Sequence, residues 1–384
     1  MRHDERSIKR QLQRESTFSP PYCPNPKCTF HDRKTAHGTS FWSSHGVKSL
    51  KRFPYAQVRF RCKKCRRTFS ASFFKLHYRQ RVWGLNEQIH ALYQNGATKR
   101  GTGRLLKVSE HLVRIRLRKM KEWGLLQHAK LTENFKIKEA IVYDGIENFS
   151  FSQYDPNNTN HAVGKQSLFV YDFNFAPLNR KGRMSIKQRR RKLWLEEQFG
   201  AYPKAAIRTS TNRLFQRLLE KTEPRELTIY SDQHLQYRRV VNEDLCGEKI
   251  HHITVSSKIS RNYANPLFPV NNIDLQLRQN STSFKRETIS FPKHSIAHME
   301  SFILHVMYRN YMRPKFWGTH RSDPLSSKRS PAMELGIADK ILSFKDMFRE
   351  RVTRYQVSLN EDWKNFLMQI DPFSRRPIKT YSVI

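Results

Sequence analysis

Leu227-Thr228-Ile229-Tyr230-Ser231-Asp232-Gln233-His234 is the stretch whose reading decides the fold. An apolar, β-branched run of this length predicts a strand, and it delivers a carboxylate, Asp232, just before residues suited to starting a helix or loop. An acid at such a strand end is held on a rigid element and points into the cleft at the sheet edge. The pattern repeats upstream, where Ala140-Ile141-Val142-Tyr143 runs into Asp144-Gly145, and a third acid, Asp274, follows at a distance that suits a helix folded back over the sheet. Singly, strand-end aspartates are commonly turn and cap formers. Three in this arrangement predict a carboxylate cluster for hard divalent cations, which prefer oxygen ligands.

Working outward, strands are expected at 139–144, 149–153 and 167–175, helices at 186–197 and 212–221, then the strand ending at Asp232. A short helix at 236–242, a strand at 250–255 and a helix from 270 complete the order of a ribonuclease-H-like fold. Asp172, inside the third strand, reads as a partner for a basic side chain. The run Lys187-Gln188-Arg189-Arg190-Arg191-Lys192 is either a solvated helix face or a stripe that tracks phosphates. Beyond a helix through Met307 to Pro314, residues 319–331 have linker composition, and 337–348 and 363–370 suggest two more helices.

The amino-terminal third carries the charge. Of the net +38, residues 1–130 hold 30 Lys and Arg against 7 Asp and Glu, an excess that points to a polyanionic partner. Residues 1–20 read as a basic arm. Cys23 and Cys28, then Cys62 and Cys65, form two thiolate pairs able to close a tetrahedral zinc site of zinc-ribbon type, with His31 or His37 as substitutes for one sulfur given the wide first spacing. Lys63, Lys64, Arg66 and Arg67 stand on that ribbon's exterior. The isolated Cys246 reads as a small buried apolar residue. From Gly84 the period turns helical: Leu85, Ile89, Leu92 and Tyr93 line a first helix ending near Asn95-Gly96, and further helices are expected over 98–106 and 110–123. On the last, Leu112, Ile115 and Met120 share a side while Arg114, Arg116, Arg118, Lys119 and Lys121 crowd the remainder. Three short helices ending in a cationic one predict a helix-turn-helix DNA reader. The start lacks a secretory signal and no apolar run reaches membrane length, so a cytoplasmic, nucleoid-associated protein is expected.

The expected whole is a multidomain α+β chain: arm 1–20, zinc ribbon 21–80, helix-turn-helix 81–130, an α/β ribonuclease-H-like domain 131–318, and a linker with a helical tail over 319–384. Val142-Tyr143-Asp144-Gly145, Ile229-Tyr230-Ser231-Asp232 and Val270-Asn271-Asn272-Ile273-Asp274-Leu275-Gln276-Leu277-Arg278 carry a resemblance, as do Arg286 to Phe291 and Ser330 to Gly336 downstream. Over residues 20–345 the chain resembles DDE-type insertion-sequence transposases with an amino-terminal zinc ribbon and helix-turn-helix. The resemblance implies Mg2+- (or Mn2+-) dependent nicking and strand transfer of double-stranded DNA, at terminal inverted repeats and at a target, by a dimer or larger assembly. Asp144, Asp232 and Asp274 would hold two ions, alongside one structural Zn2+. Arg278, one turn beyond Asp274, would face DNA. That family's third acid is most often Glu, so Glu300 competes with Asp274 for the role. A catalytically inactive regulator and another nuclease of the same fold remain as alternatives.

Overall fold

A computed structural model of the chain describes residue 13 and residues 17–51, 55–285, 288–318 and 324–370. Most of the expected arm, Arg286 and Glu287, residues 319–323 of the expected linker and residues 371–384 of the expected tail lie outside the described residues. An amino-terminal four-cysteine unit with a small antiparallel sheet is followed by a five-stranded mixed sheet with helices, an α+β architecture.

The first sheet consists of β1 (Trp42–Ser49), β2 (Ala56–Cys62) and β3 (Thr68–Ser70), in that spatial order. Tyr22, Phe41, Phe60, Phe69 and Phe74 make its small aromatic core beside the cysteines. Three helices follow: α1 (Leu85–Gln94), α2 (Lys99–Leu105) and α3 (Glu110–Leu131). Thr98 and Ser109 cap the last two, each side-chain oxygen accepting a backbone amide. The turn between α2 and α3 is tight: a Cβ on Gly103 would lie 2.8 Å from the Val108 carbonyl.

Helix α3 corrects two expectations. It runs on to Leu131 instead of stopping near 123, because Trp123, Leu125, Leu126 and His128 are buried in the main core. Its buried side is carried by Val113, Leu117 and Met120, while Ile115 is 46% exposed. Packing against the rest of the molecule sets the helix phase, and the isolated apolar count does not.

The main sheet holds β4 (Ile141–Phe149), β5 (Pro156–Gly164), β6 (Val170–Pro177), β7 (Leu227–Asp232) and β8 (Ile250–Val255), in the order β6-β5-β4-β7-β8. The first three strands pair antiparallel, and β4, β7 and β8 pair parallel. Between β6 and β7 come α4 (Ile186–Phe199) and α5 (Ala206–Glu220); α6 (Leu235–Arg239) joins β7 to β8; α7 (Phe268–Asn280), α8 (Ser295–Tyr311) and α9 (Glu361–Met368) follow. Helix α5 covers one face, where the Tyr143 hydroxyl meets Thr211 at 2.8 Å and Asn160 Nδ2 donates to Ser210 at 2.9 Å. The other face carries α7 and α8, with His298 of α8 reaching Thr159 at 3.0 Å.

The second strand is displaced from its expected place at 149–153. β4 continues through Phe149, residues 150–155 turn, and β5 is the polar run Asn157-Asn158-Thr159-Asn160-His161, buried throughout. Its amides bond one another: Asn158 donates to Asn160 at 2.9 Å and Asn160 to Asn174 at 2.8 Å. The helix expected over 337–348 reduces to one turn, Phe344–Met347, after another at Pro331–Glu334. The three-helix unit and the sheet share one continuous hydrophobic core. Among the described residues, no helix is long and apolar enough to cross a membrane.

Candidate active site and metal centre

Sheet register brings the first two acids together. Ile141 pairs with Ile229 and Val142 with Tyr230, so two residues further along these parallel strands Asp144 stands level with Asp232. Asp144 lies within β4 and not at its end, because antiparallel pairing with β5 carries the strand on to Phe149. Its partner on β5 is His161. Helix α7 packs over β4 and β5 and supplies Asp274, whose Oδ1 lies 3.3 Å from Nε2 of the buried His161. Gly145 lets the strands close here: a Cβ would sit 2.1 Å from the Asn158 side chain.

Like charges in a partly buried site resist ionisation together. Burial, then the charges of Asp274 and Asp232, push the Asp144 carboxyl up to about 7, against the Gly145 amide and His161. Burial likewise raises Asp274 to about 7, with Arg278 and Arg261 opposing it. Burial lowers His161, with the Thr159 carbonyl and the charge of Asp144 opposing it. Asp274 Oδ1 and His161 Nε2 are buried without a well-formed hydrogen bond. Clustered carboxylates with an orphaned oxygen suit a hard divalent cation. Their spacing is wider than a single closed cage: among the described residues, only the cysteine group brings three or more ligand atoms all within 4.8 Å of one another.

Glu300 is placed elsewhere. It is buried on α8, where its Oε2 pairs with Lys99 Nζ of α2 at 3.3 Å. His298, two residues earlier, faces the sheet, so Glu300 turns toward the three-helix unit. Asp172 pairs with Arg217, Nε to Oδ2 at 2.6 Å, as the sequence suggested. His161 and Arg261 went unnoticed in the sequence. His161 sits in a run that reads as loop, although register with Asp144 would have found it once that strand was drawn.

Cys23, Cys28, Cys62 and Cys65 converge, with Cys23 to Cys65 at 3.5 Å and Cys28 to Cys62 at 3.9 Å between sulfurs. A tetrahedral ion with Zn–S bonds of about 2.3 Å separates sulfurs by about 3.8 Å, so the four fit a structural Zn2+. Backbone turns shape the cradle: the Cys28 amide donates to Asn25 and the Arg66 amide to Cys62, with Arg66 in the left-handed region at φ 62°. His31 is no fifth candidate, since Nδ1 bonds the Cys23 carbonyl at 2.7 Å and Nε2 the Thr353 hydroxyl at 3.0 Å. His37 is exposed outside the cluster. Cys246, expected to be buried, is exposed.

The cations divide by environment. Lys63, Lys64, Arg66, Arg67, Arg114, Arg189, Arg190 and Arg191 are exposed, with Arg118 and Arg278 half-buried. Three expected on the outer face of α3 serve the interior instead. Buried Arg116 donates to Asn86 and to the Val82 carbonyl, Lys119 to the Tyr78 carbonyl at 2.6 Å, and buried Lys121 to the Phe366 carbonyl at 2.7 Å. Burial lowers all three, Arg116 to about 10 and Lys119 to about 8. Their carbonyl partners lie in loops and at the end of α9 that pack onto α3. Compared with known proteins, the chain matches no family model and no curated protein.

Proposed function

We propose that this chain is a DNA transposase: a ribonuclease-H-like enzyme that binds element ends and catalyses metal-dependent strand cleavage and transfer. The observation that carries the reading is the level placement of Asp144 and Asp232 on neighbouring parallel strands, with Asp274 delivered from α7 onto the same face. The strand order β6-β5-β4-β7-β8 supports it, because three antiparallel strands followed by two parallel ones is the arrangement expected of that fold.

In this reading Asp144, Asp232 and Asp274 would together hold divalent ions, which when bound would supply activation of the attacking oxygen and charge stabilisation of the leaving one. The chain's own part is to hold three carboxylates on rigid elements, to keep Asp274 against His161, and to offer Arg278 and Arg261 beside the developing phosphate charge. Lys63, Lys64, Arg66, Arg67 and Arg114 supply exposed positive charge for the duplex phosphates. Bringing two element ends together requires a dimer or larger assembly on DNA. A role inside the cell, at the nucleoid, follows from that substrate.

Cleavage of element-end DNA with Mg2+ tests the proposal. Asp144→Asn, Asp232→Asn and Asp274→Asn should each reduce cleavage by at least about a thousandfold while DNA binding persists. Glu300→Gln should leave cleavage within a few-fold of wild type. Unchanged cleavage in the Asp144 and Asp232 variants would overturn the assignment, and loss confined to Glu300→Gln would move the third acid.

A further inference from the structure

Helix α4 is an excursion from the sheet whose surface the acid cluster does not use. Its flanks are clamped together: Asn179 Nδ2 donates to the Tyr202 carbonyl at 2.7 Å, the Tyr202 amide returns a bond to Asn179 Oδ1 at 2.9 Å, and the Tyr202 hydroxyl reaches Asp155 at 3.1 Å. Left-handed glycines, Gly182 at φ 84° and Gly200 at φ 78°, turn the chain out and back. A capping box at Ser185 and Gln188 secures the helix start. Of its fourteen residues only Leu195 is buried.

Two properties of this arm do not suit a plain solvated helix. Residues 180–192 carry eight Lys and Arg and no acid. Beside them Ile186, Leu193 and Trp194 are 74%, 59% and 43% exposed, and the Arg191 guanidinium lies 4.2 Å over the Trp194 ring. A surface both cationic and aromatic fits a strand of nucleic acid, whose phosphates take the charge and whose bases take the ring. A second copy of a chain with net charge +38 would bring like charge to the same face. The position also suits DNA. β6 ends at Pro177, opposite Asn157, at the far end of the hairpin that β4 enters after Asp144. The arm therefore leaves the sheet four residues beyond the level of Asp144, roughly 13 Å along the strand direction.

We propose that α4 is a single-strand arm: Arg189, Arg190 and Arg191 hold the backbone and Trp194 stacks on an unpaired base of DNA at the acid cluster. The inference deepens the transposase reading and rests on it for the choice of DNA, but its test is binding alone. In metal-free buffer, fluorescence anisotropy compares the full-length protein and its variants on labelled oligothymidylate and on a blunt mixed-sequence duplex. Trp194→Ala should weaken oligothymidylate binding about tenfold and duplex binding less than twofold, and Trp194→Phe should restore most of the loss. Exchanging Arg189, Arg190 and Arg191 for Gln should weaken both and flatten the salt dependence. Equal losses of Trp194→Ala on the two DNAs, or none on oligothymidylate, overturn the stacking role. A change in sedimentation of Trp194→Ala with oligothymidylate binding intact assigns the face to self-association instead. Cleavage surviving Asp144→Asn would defeat the transposase reading without altering these binding results.

Discussion

Asp144 and Asp274 make a pH prediction with a definite sign. Both carboxyls are held near 7 in the folded protein, above their ordinary value near 4, so the native state binds more protons than the unfolded chain in between. Their contribution to stability is therefore lost as pH rises from about 4 through 7. In buffer free of Mg2+ but with zinc retained, thermal melting should show Asp144→Asn more stable than wild type by about 1–3 kcal/mol at pH 8 and no more stable at pH 4. Mg2+ at pH 8 should raise the wild-type midpoint and leave Asp144→Asn unmoved. A variant less stable than wild type at pH 8 would show that the acids are not mutually repelling. His161 belongs to the same site through geometry: its Nε2 stands 3.3 Å from Asp274 Oδ1. His161→Leu should raise the Mg2+ concentration needed for binding, read by calorimetry, by about tenfold, and His161→Gln, which keeps a polar group at that reach, should recover much of it. Equal Mg2+ affinity in both variants would remove His161 from the site.

At the scale of elements, what was legible in the sequence depended on whether polarity matched burial. Apolar β7 and the start of β4 were legible because their residues advertise a core. β5 was not, since a run of three asparagines, a threonine and a histidine resembles a turn until its partners, Asn174, Ser210 and His298, are in place. The two acids were expected at strand ends; Asp232 ends β7, whereas Asp144 lies inside β4 because pairing with β5 carries that strand on. The cations of α3 misled for the converse reason, since Lys121 looks like a surface residue but ends on a buried carbonyl. Strand β5 also explains Gly145. Gly145→Ala should cost about 1–3 kcal/mol because its methyl would meet Asn158, and pairing it with Asn158→Ala should return a large part of that loss. Chemical denaturation of the four proteins checks the cycle; additive losses would show that the two residues do not press on each other.

Across the whole molecule, the carboxyl-terminal stretch ties the cysteine unit to the rest. Tyr22 donates its hydroxyl to the Arg351 carbonyl at 2.8 Å, Arg33 pairs with Glu350 at 3.0 Å, and Gln356 donates to the His31 carbonyl at 3.0 Å. The same stretch meets α3, where Gln127 donates to the Glu350 carbonyl at 2.7 Å, and continues into α9, whose Trp363 indole donates to the Phe173 carbonyl of β6 at 3.1 Å. Asp362 then joins Arg213 and Arg217 of α5, where Arg217 also holds Asp172 of β6. Zinc is expected to govern the first set of contacts and not the last. The cysteine unit has a small core, so its fold depends on the ion, whereas α9 is held by Trp363 and Phe366 in the main core. Chelating the zinc, or replacing Cys62 by Ser, should therefore speed amide exchange in β1 to β3 and across residues 350–356, while residues 361–368 and β4 keep their protection. Faster exchange confined to β1 to β3 would show that the carboxyl-terminal stretch holds without the unit it clasps. Loss of protection in β4 as well would make zinc a support of the acid-bearing sheet, and Mg2+ binding would then fall with it.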